Sequence, residues 1–339
     1  MKYKYIYTGI TRISDLSIKG FEIKKIDKTH WDTGDYVVCE IITKGSDKYK
    51  LELPNGRMRG IMGGESLIGA LGERYATLEA TGTWKTTKKD GILHVLTSGG
   101  LLGTLTSKSI YIHEMITIKY IGHAFREGKK LNMEGFVRPV REKQFKTPVV
   151  LFVATSMSTG KTTSARIVTN IFKMGGLKVV GAKLTGAARY KDILAIKDVG
   201  ADAVFDFVDV GLPSSICSKK KYLKKINELK NLISTIDADV AVIEIGASPL
   251  EPYNGSLAID AIREQTKCVI LSASDPYAVL GLMKAFKIQP DIVTGISTNT
   301  LAGRTLIEKL CGVFTLNLID PKTTSKLKNI LNKSFDFSL

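Results

Sequence analysis

The chain has 339 residues, 44% of them hydrophobic, and a formal net charge of +16. That length predicts two domains, each with enough apolar material for a core. No apolar run reaches the roughly 18 residues of a membrane span, and the basic start MKYKYIYTGITR lacks a signal peptide's apolar stretch, so a cytoplasmic protein with no membrane partner is expected.

Residues 1–140 read as a β-rich domain. Candidate strands are Tyr3–Ile10, Phe21–Ile26, Tyr36–Thr43, Tyr49–Leu53 and Ile110–Ile121. Asn55-Gly56 marks a hairpin. Short strands with Gly-rich turns predict a small barrel or sandwich. A helix is expected over Gly63–Tyr75. The Gly/Ser/Thr segment Leu96–Ser109 reads as a loop or bulged strand, with a backbone-lined anion site as the functional alternative. His94, His113 and His123 show no metal-ligand spacing. Cys39, Cys217, Cys268 and Cys311 form no Cys-x-x-Cys pair, and reduced thiols are expected. The polar, basic stretch at 141–148 reads as the linker.

Residues 149–339 alternate between strand and helix patterns. Strands are expected at Lys178–Leu184, Ala203–Asp209, Val240–Ile245, Cys268–Ser272, Ile292–Ile296 and Phe314–Leu318. Helices are expected within Ile216–Ile236 and over Lys191–Lys197, Leu257–Gln265, Tyr277–Phe286, Leu301–Leu310 and Thr323–Leu331. Repeated β-α units predict a mostly parallel sheet with helices on both faces.

The motif that organises this half is VVLFVATSMSTGKTT, Val149 to Thr163. An apolar strand breaks into small residues, reaches Gly-Lys-Thr and runs into a helix. Those are the parts of a phosphate-binding P-loop. Backbone N–H groups of Thr155, Ser156, Met157, Ser158, Thr159 and Gly160 would face phosphate oxygens, and the helix starting near Lys161, Thr162 and Thr163 would present its positive end. Lys161 can reach the β- and γ-phosphates, and Thr162 can coordinate Mg²⁺. The first position of the motif, usually Gly, is Thr155.

Three further groups carry candidate chemistry. Glu244, near the end of an apolar strand, sits where Mg²⁺ or a catalytic water needs a carboxylate. Lys183 ends the strand after the P-loop helix, where an ammonium can hold an anionic substrate. Asn299 is placed to read a purine edge. Weaker candidates are Thr185, Gly186, Arg189, Asp206, Asp209, Glu251 and Tyr253. Of the two aspartates, Asp209 is expected to be the one near the site. The run Lys219–Lys225 reads as a solvated helix face.

Thr155–Thr162, Lys183 and Glu244 together resemble the branch of P-loop proteins that contains dethiobiotin synthetase and the molybdopterin-guanine dinucleotide adaptor proteins. In that branch the lysine faces substrate and the glutamate binds Mg²⁺. The loop and helix are also similar to the P-loop domain of the D-glutamate N-acetyltransferase-like family. The resemblance spans Val149 to Leu318. The loop lacks the acidic residue usual in dethiobiotin synthetase, and IGASPLEP replaces that enzyme's Gly-rich turn. The stretch GDYVVCEI…GRMRGIMGG faintly resembles the small barrel preceding some ATPase motor domains.

The expectation is therefore a kinase- or ligase-like P-loop enzyme. It would use Mg²⁺ and ATP, with GTP as the alternative, to transfer a phosphoryl group to a small anionic substrate. Lys161, Lys183 and Glu244 would be catalytic, and Thr162 and Glu244 would hold the metal. A homo-oligomer is expected. The charge is spread, with 25 Lys and Arg against 16 Asp and Glu in residues 1–150. It suits anionic partners, and a nucleic-acid-stimulated ATPase is the first rival. An acyltransferase that holds CoA phosphates in the P-loop is the second.

Overall fold

The computed structural model describes residues 5–45, 48–156, 159–246, 248 and 250–339. The chain divides into two compact units. The first holds residues 1–139 and two short segments from later in the chain, 187–191 and 207–216; the second holds the remainder.

The first unit is built on one sheet. Strands Ser66–Leu71, Tyr36–Ile41, Thr117–Arg126, Ile92–Thr97 and Leu101–Lys108 are neighbours in that order, and Leu101–Lys108 pairs back onto Ser66–Leu71. The ring of five is a small barrel, and closure removes the edges an open sheet would leave. Alternate residues fill it. Val37, Cys39 and Ile41 from one strand meet Leu93 and Val95, Leu67 and Leu71, Leu102 and Ile118 from the others, all buried. The Asn55-Gly56 turn joins Lys50–Glu52 to Met58–Gly60 as an antiparallel pair.

Two sequence expectations for this unit are corrected. Residues 63–75 are not helical; they hold the strand Ser66–Leu71 and the start of Glu73–Ala76, because the apolar residues of SLIGAL pack into a sheet. The strand expected from Ile110 begins only at Thr117, and Ile110 and Tyr111 are exposed. Leu96–Ser109, expected as a loop or bulged strand, holds a turn at 98–100 and the bulged strand Leu101–Lys108, whose register shifts between Leu105 and Ser107. Its turn is engaged in the fold, with Gly100 N–H donating to Thr97 and the Ser98, Gly99 and Gly100 carbonyls accepting from Glu52, Ile10 and Ala70.

A buried polar cluster sits against this barrel. Asp35 and His123 are each 0% exposed. Asp35 Oδ1 accepts from Asn132 Nδ2 at 2.9 Å, while Oδ2 accepts from the Asp32 N–H at 2.7 Å and lies 2.7 Å from Lys130 Nζ. His123 Nε2 is 3.3 Å from Asp35, its Nδ1 is 2.6 Å from the Tyr120 hydroxyl, and Trp31 packs on both rings. Burial works against the Asp35 carboxylate, yet His123, Lys130 and Asn132 together hold its pKa below the ordinary value.

The second unit is a parallel sheet of six strands. In chain order they are β1 (Val149–Ala154), β2 (Val179–Thr185), β3 (Ala203–Asp206), β4 (Val240–Ile245), β5 (Thr266–Ser272) and β6 (Ile292–Thr294). Across the sheet they run β3-β2-β4-β1-β5-β6. Every residue of β1 is buried, as a continuous apolar run in a central parallel strand requires. The helices are α1 (Lys161–Met174), α2 (Tyr190–Lys197), α3 (Lys219–Ile233), α4 (Gly255–Ile262), α5 (Pro276–Phe286), α6 (Leu301–Cys311) and α7 (Thr324–Phe335). Right-handed crossovers place α1 and α2 on one face and α3, α4 and α5 on the other. α3 packs on α4 accordingly, and Phe172 of α1 packs edge-on against Phe335 of α7 and against Phe337 just beyond it.

Two expected strands are shorter or missing. β3 stops at Asp206, and Phe207 onward turns away. Residues 314–318 contribute only an isolated parallel bridge from Thr315 to Val293. Cys39 and Cys268 are buried free thiols, and burial pushes Cys268 up to about 12. Among the described residues no helix is long and apolar enough to cross a membrane.

Candidate functional site

The site lies at the C-terminal ends of the central strands of the second unit. Parallel strands carry their ligands there, because the loops and helix N-termini converge at that edge. β1 ends at Ala154 and the chain enters the loop. Thr155, in the usual glycine position, has a structural use for its side chain. Its hydroxyl accepts from the Ser274 N–H at 3.1 Å, and its own N–H donates to Ser272 on the neighbouring strand. Ser156 accepts from the Thr159 hydroxyl at 3.1 Å, and Thr159 is 2% exposed. Met157 and Ser158 lie outside the described residues.

Gly160 is the N-cap of α1, with φ of +97° in the left-handed region that glycine adopts without penalty. With no capping side chain there, the first N–H groups of a 14-residue helix face the loop without intrahelical partners. The loop also has a floor. Gly295, after β6, has φ of +92°, and a Cβ at that position would lie 2.5 Å from the Thr159 carbonyl oxygen.

Lys161, Thr162 and Glu244 come together. Lys161 Nζ is 3.8 Å from Glu244 Oε1, and the Thr162 hydroxyl is 3.2 and 3.4 Å from the two oxygens of the same carboxylate. Lys161 and Glu244 are both buried; Thr163 is exposed. Burial depresses the Lys161 pKa below the ordinary lysine value, with Glu244 opposing that shift and the nearby Lys183 adding to it.

Register explains how Lys183 joins them. In the parallel sheet Lys183 of β2 is the partner of Glu244 on β4 and of Asp206 on β3. Residues in register on neighbouring strands share a face. Lys183 Nζ is 2.7 Å from Asp192 Oδ2, in the first turn of α2. Burial disfavours its ammonium, but Asp192, Glu244 and Asp206 outweigh burial and raise its pKa. Lys183, Glu244 and Asp206 therefore lie in one row across the strands, and α1 and α2 bring Lys161 and Asp192 to it.

The structure reverses the reading of the two aspartates. Asp206 is buried beside Lys183, whereas Asp209 belongs to the first unit, 3.0 Å from Arg12 Nη2. The reason is the early end of β3, which the apolar run VFDFV hides. Thr185 is not open to a ligand; its hydroxyl is buried and donates to the Gly246 carbonyl at 2.9 Å. Tyr253 is 0% exposed and belongs to the core. Arg189 is exposed and lies in the first unit. Glu251 accepts from the Ser248 N–H at 2.6 Å and its charge acts on Lys161. Asn299 is exposed after the short turn Ile296–Thr298, its Oδ1 accepting from Asn317 Nδ2 at 3.4 Å. In the Lys219–Lys225 run, Lys219, Lys220 and Lys224 are exposed, but Lys225 is buried and pairs with Glu228.

Sequence reasoning missed Asp192 and Ser274. Asp192 had a signal: an acidic residue in the first turn of the helix that follows Lys183. Ser274 had none, since its role depends on where β5 ends beside the loop.

The donor set suits Mg²⁺ with a phosphate ligand. Thr162 and Glu244 offer hard oxygens, and Mg²⁺ characteristically takes one or two protein oxygens with substrate phosphates and water. Among the described residues no group of three or more His, Cys, Asp or Glu could hold a metal alone. The parallel sheet, the loop capped by Gly160, and the Lys161–Thr162–Glu244 cluster are those of a P-loop NTPase fold.

No protein-family model and no curated protein matches the sequence. Solved structures similar to it include chloroplast FtsY from Physcomitrella patens, at 16% identity over 52% of this chain and 59% of that one, TM-score 0.37. Another is HypB from Helicobacter pylori in complex with nickel, at 17% identity over 57% and 90%, TM-score 0.38. A ParA family ATPase from Chlorobium tepidum shows 15% identity over 55% and 90%, TM-score 0.30. The chain spans less than two thirds of the FtsY structure's length.

Proposed function

We propose that the second unit binds a nucleoside triphosphate with Mg²⁺ and transfers its γ-phosphoryl group to a small anionic acceptor, a carboxylate in ligase-type chemistry. The observation that carries this reading is Lys183. Its ammonium lies in the same strand-end row as Glu244 and is held at 2.7 Å by the Asp192 carboxylate. A group that grips a carboxylate in this way offers the same geometry to an acceptor carboxylate.

In the reaction, an acceptor carboxylate oxygen forms a bond to the γ-phosphorus. The bond from that phosphorus to the β–γ bridging oxygen breaks, and its electron pair leaves with the nucleoside diphosphate. Lys161 and the α1 amides stabilise charge on the phosphates, and Lys183 orients the acceptor. Mg²⁺, held by Thr162 and Glu244, would supply further charge neutralisation on the phosphates.

Calorimetry with ATP, GTP and acetyl-CoA, with and without Mg²⁺, tests the reading on wild type and Lys161→Ala. Mg²⁺-dependent ATP or GTP binding that is lost in the variant is the expected result. Full turnover by Lys161→Ala, or binding of acetyl-CoA alone, overturns it.

A further inference from the structure

Lys183 is held by Asp192, and Asp192 is only as well placed as the first turn of α2. In the first unit, Glu52 ends the strand Lys50–Glu52 and is 0% exposed. Its Oε1 accepts the Tyr190 N–H at 2.7 Å and its Oε2 accepts the Lys191 N–H at 3.0 Å. These are the opening N–H groups of α2, which have no partner inside the helix. A carboxylate at a helix N-terminus also gains from the helix dipole.

The fold makes room for this carboxylate. A Cβ at Gly9 would stand 2.4 Å from Glu52 Oε1. The segment before the helix is fixed by further contacts. Thr97 Oγ1 donates to the Ala188 carbonyl at 2.6 Å, the Ala188 N–H donates to Pro213 at 3.1 Å, and the Arg12 guanidinium lies 4.3 Å from the centre of the Tyr190 ring. The chain leaves the first unit between Lys191 and Asp192, inside that same turn. Burying a carboxylate is costly without such partners. Both oxygens are used to fix two successive amides, and the next residue grips Lys183.

We propose that Glu52 is a positioning residue for Lys183, acting through the first turn of α2 and Asp192. It rests on the phosphoryl-transfer reading for what Lys183 does, but not for the link itself. Loss of the Glu52 charge frees the Tyr190 and Lys191 amides, lets Asp192 move, and releases Lys183 from its place in the row.

Hydrogen–deuterium exchange on the full chain tests the link without requiring activity. Glu52→Gln keeps size and one acceptor but loses the charge. Amides 190–193 are expected to exchange at least tenfold faster in Glu52→Gln and in Asp192→Asn, with β1 amides unchanged as the global control. If Glu52 acts through Asp192, the double variant is no faster than the faster single one; effects that multiply overturn the proposal. So does unchanged exchange in Glu52→Gln. Thr97→Val, which loosens the same segment by one hydrogen bond, gives the pattern in smaller measure and serves if Glu52→Gln does not fold. Turnover of Mg²⁺–ATP is measured in parallel. A roughly tenfold fall in kcat with KM for Mg²⁺–ATP within twofold is expected for each single variant, and unchanged kcat despite faster exchange overturns the positioning role. Coupled exchange with no turnover in wild type keeps the link and sinks only the phosphoryl-transfer reading.

Discussion

The Thr162 hydroxyl lies 3.2 Å from Glu244 Oε2, although 82 residues separate them in sequence. One is the second residue of α1 and the other is in β4, the strand beside the P-loop strand. The contact brings two hard oxygen donors next to the Lys161 ammonium. Glu244→Gln preserves shape and removes the charge. Mg²⁺-dependent nucleotide binding is expected to weaken at least about tenfold, the scale on which metal sites respond to lost ligation support. Binding without Mg²⁺ should change less than twofold. Calorimetry with and without the metal reads both, and equal weakening in both conditions counts against the metal role.

Burying the Lys161 ammonium comes at a cost to the fold. Burial depresses its folded-state pKa below the unfolded lysine value, so its charged form opposes folding at every pH below that lowered value, and the opposition fades as pH rises through it. Lys161→Met is therefore expected to abolish nucleotide binding while raising stability at pH 7 by about 1 kcal/mol, or roughly 2–4 °C in Tm. Scanning calorimetry checks it. A lower Tm would show that the pairing with Glu244 outweighs the burial of the ammonium.

Gly295 supports the loop from below. An alanine there would combine a φ of +92° with a Cβ 2.5 Å from the Thr159 carbonyl and 3.0 Å from Ala273. Gly295→Ala should cost about 2 kcal/mol or more and displace the loop, because backbone on both sides cannot yield as a side-chain tip would. Nucleotide affinity should fall with stability. Wild-type affinity in the folded variant would contradict the role of Gly295 as floor.

The Asp35 cluster gives the first unit an acid-sensitive step. The groups facing this carboxylate are His123, Lys130, Asn132 and Asp32, with Tyr120 behind the histidine. Its folded pKa lies below the unfolded value of about 3.9, so its stabilisation is present above about pH 4 and is lost as pH falls through the folded value. Asp35→Asn should lose about 2 kcal/mol at neutral pH and show a flatter decline below pH 4. Urea unfolding at pH 7, 4 and 3 measures the difference, and parallel curves for the two proteins would remove Asp35 as its source.

Much of the second unit was legible in the chain. β1 announced itself as an unbroken apolar run, and the Gly160-Lys161-Thr162 step between strand and helix is a local motif. Local chemistry, backbone freedom at Gly160 and a helix start, makes that step readable in the sequence, although Ser274 and Gly295 also hold the loop. The strand-end positions of Lys183 and Glu244 also followed from local patterning. Their partnership did not. Which strands are neighbours, and which residues fall in register, is set by how the whole sheet packs, and that decided that Asp206 and not Asp209 stands beside Lys183. Local pattern misjudged Gly63–Tyr75 as well, since a short apolar run fits a helix or a strand until its neighbours are known. The barrel, its closure through Leu101–Lys108 and Ser66–Leu71, and the use of Glu52 to fix the start of α2 are long-range pairings. Sequence alone settled the strand and the helix that flank Gly160-Lys161-Thr162; tertiary packing alone settled which charges gather there, because a buried charge is defined by partners that the chain brings from far away.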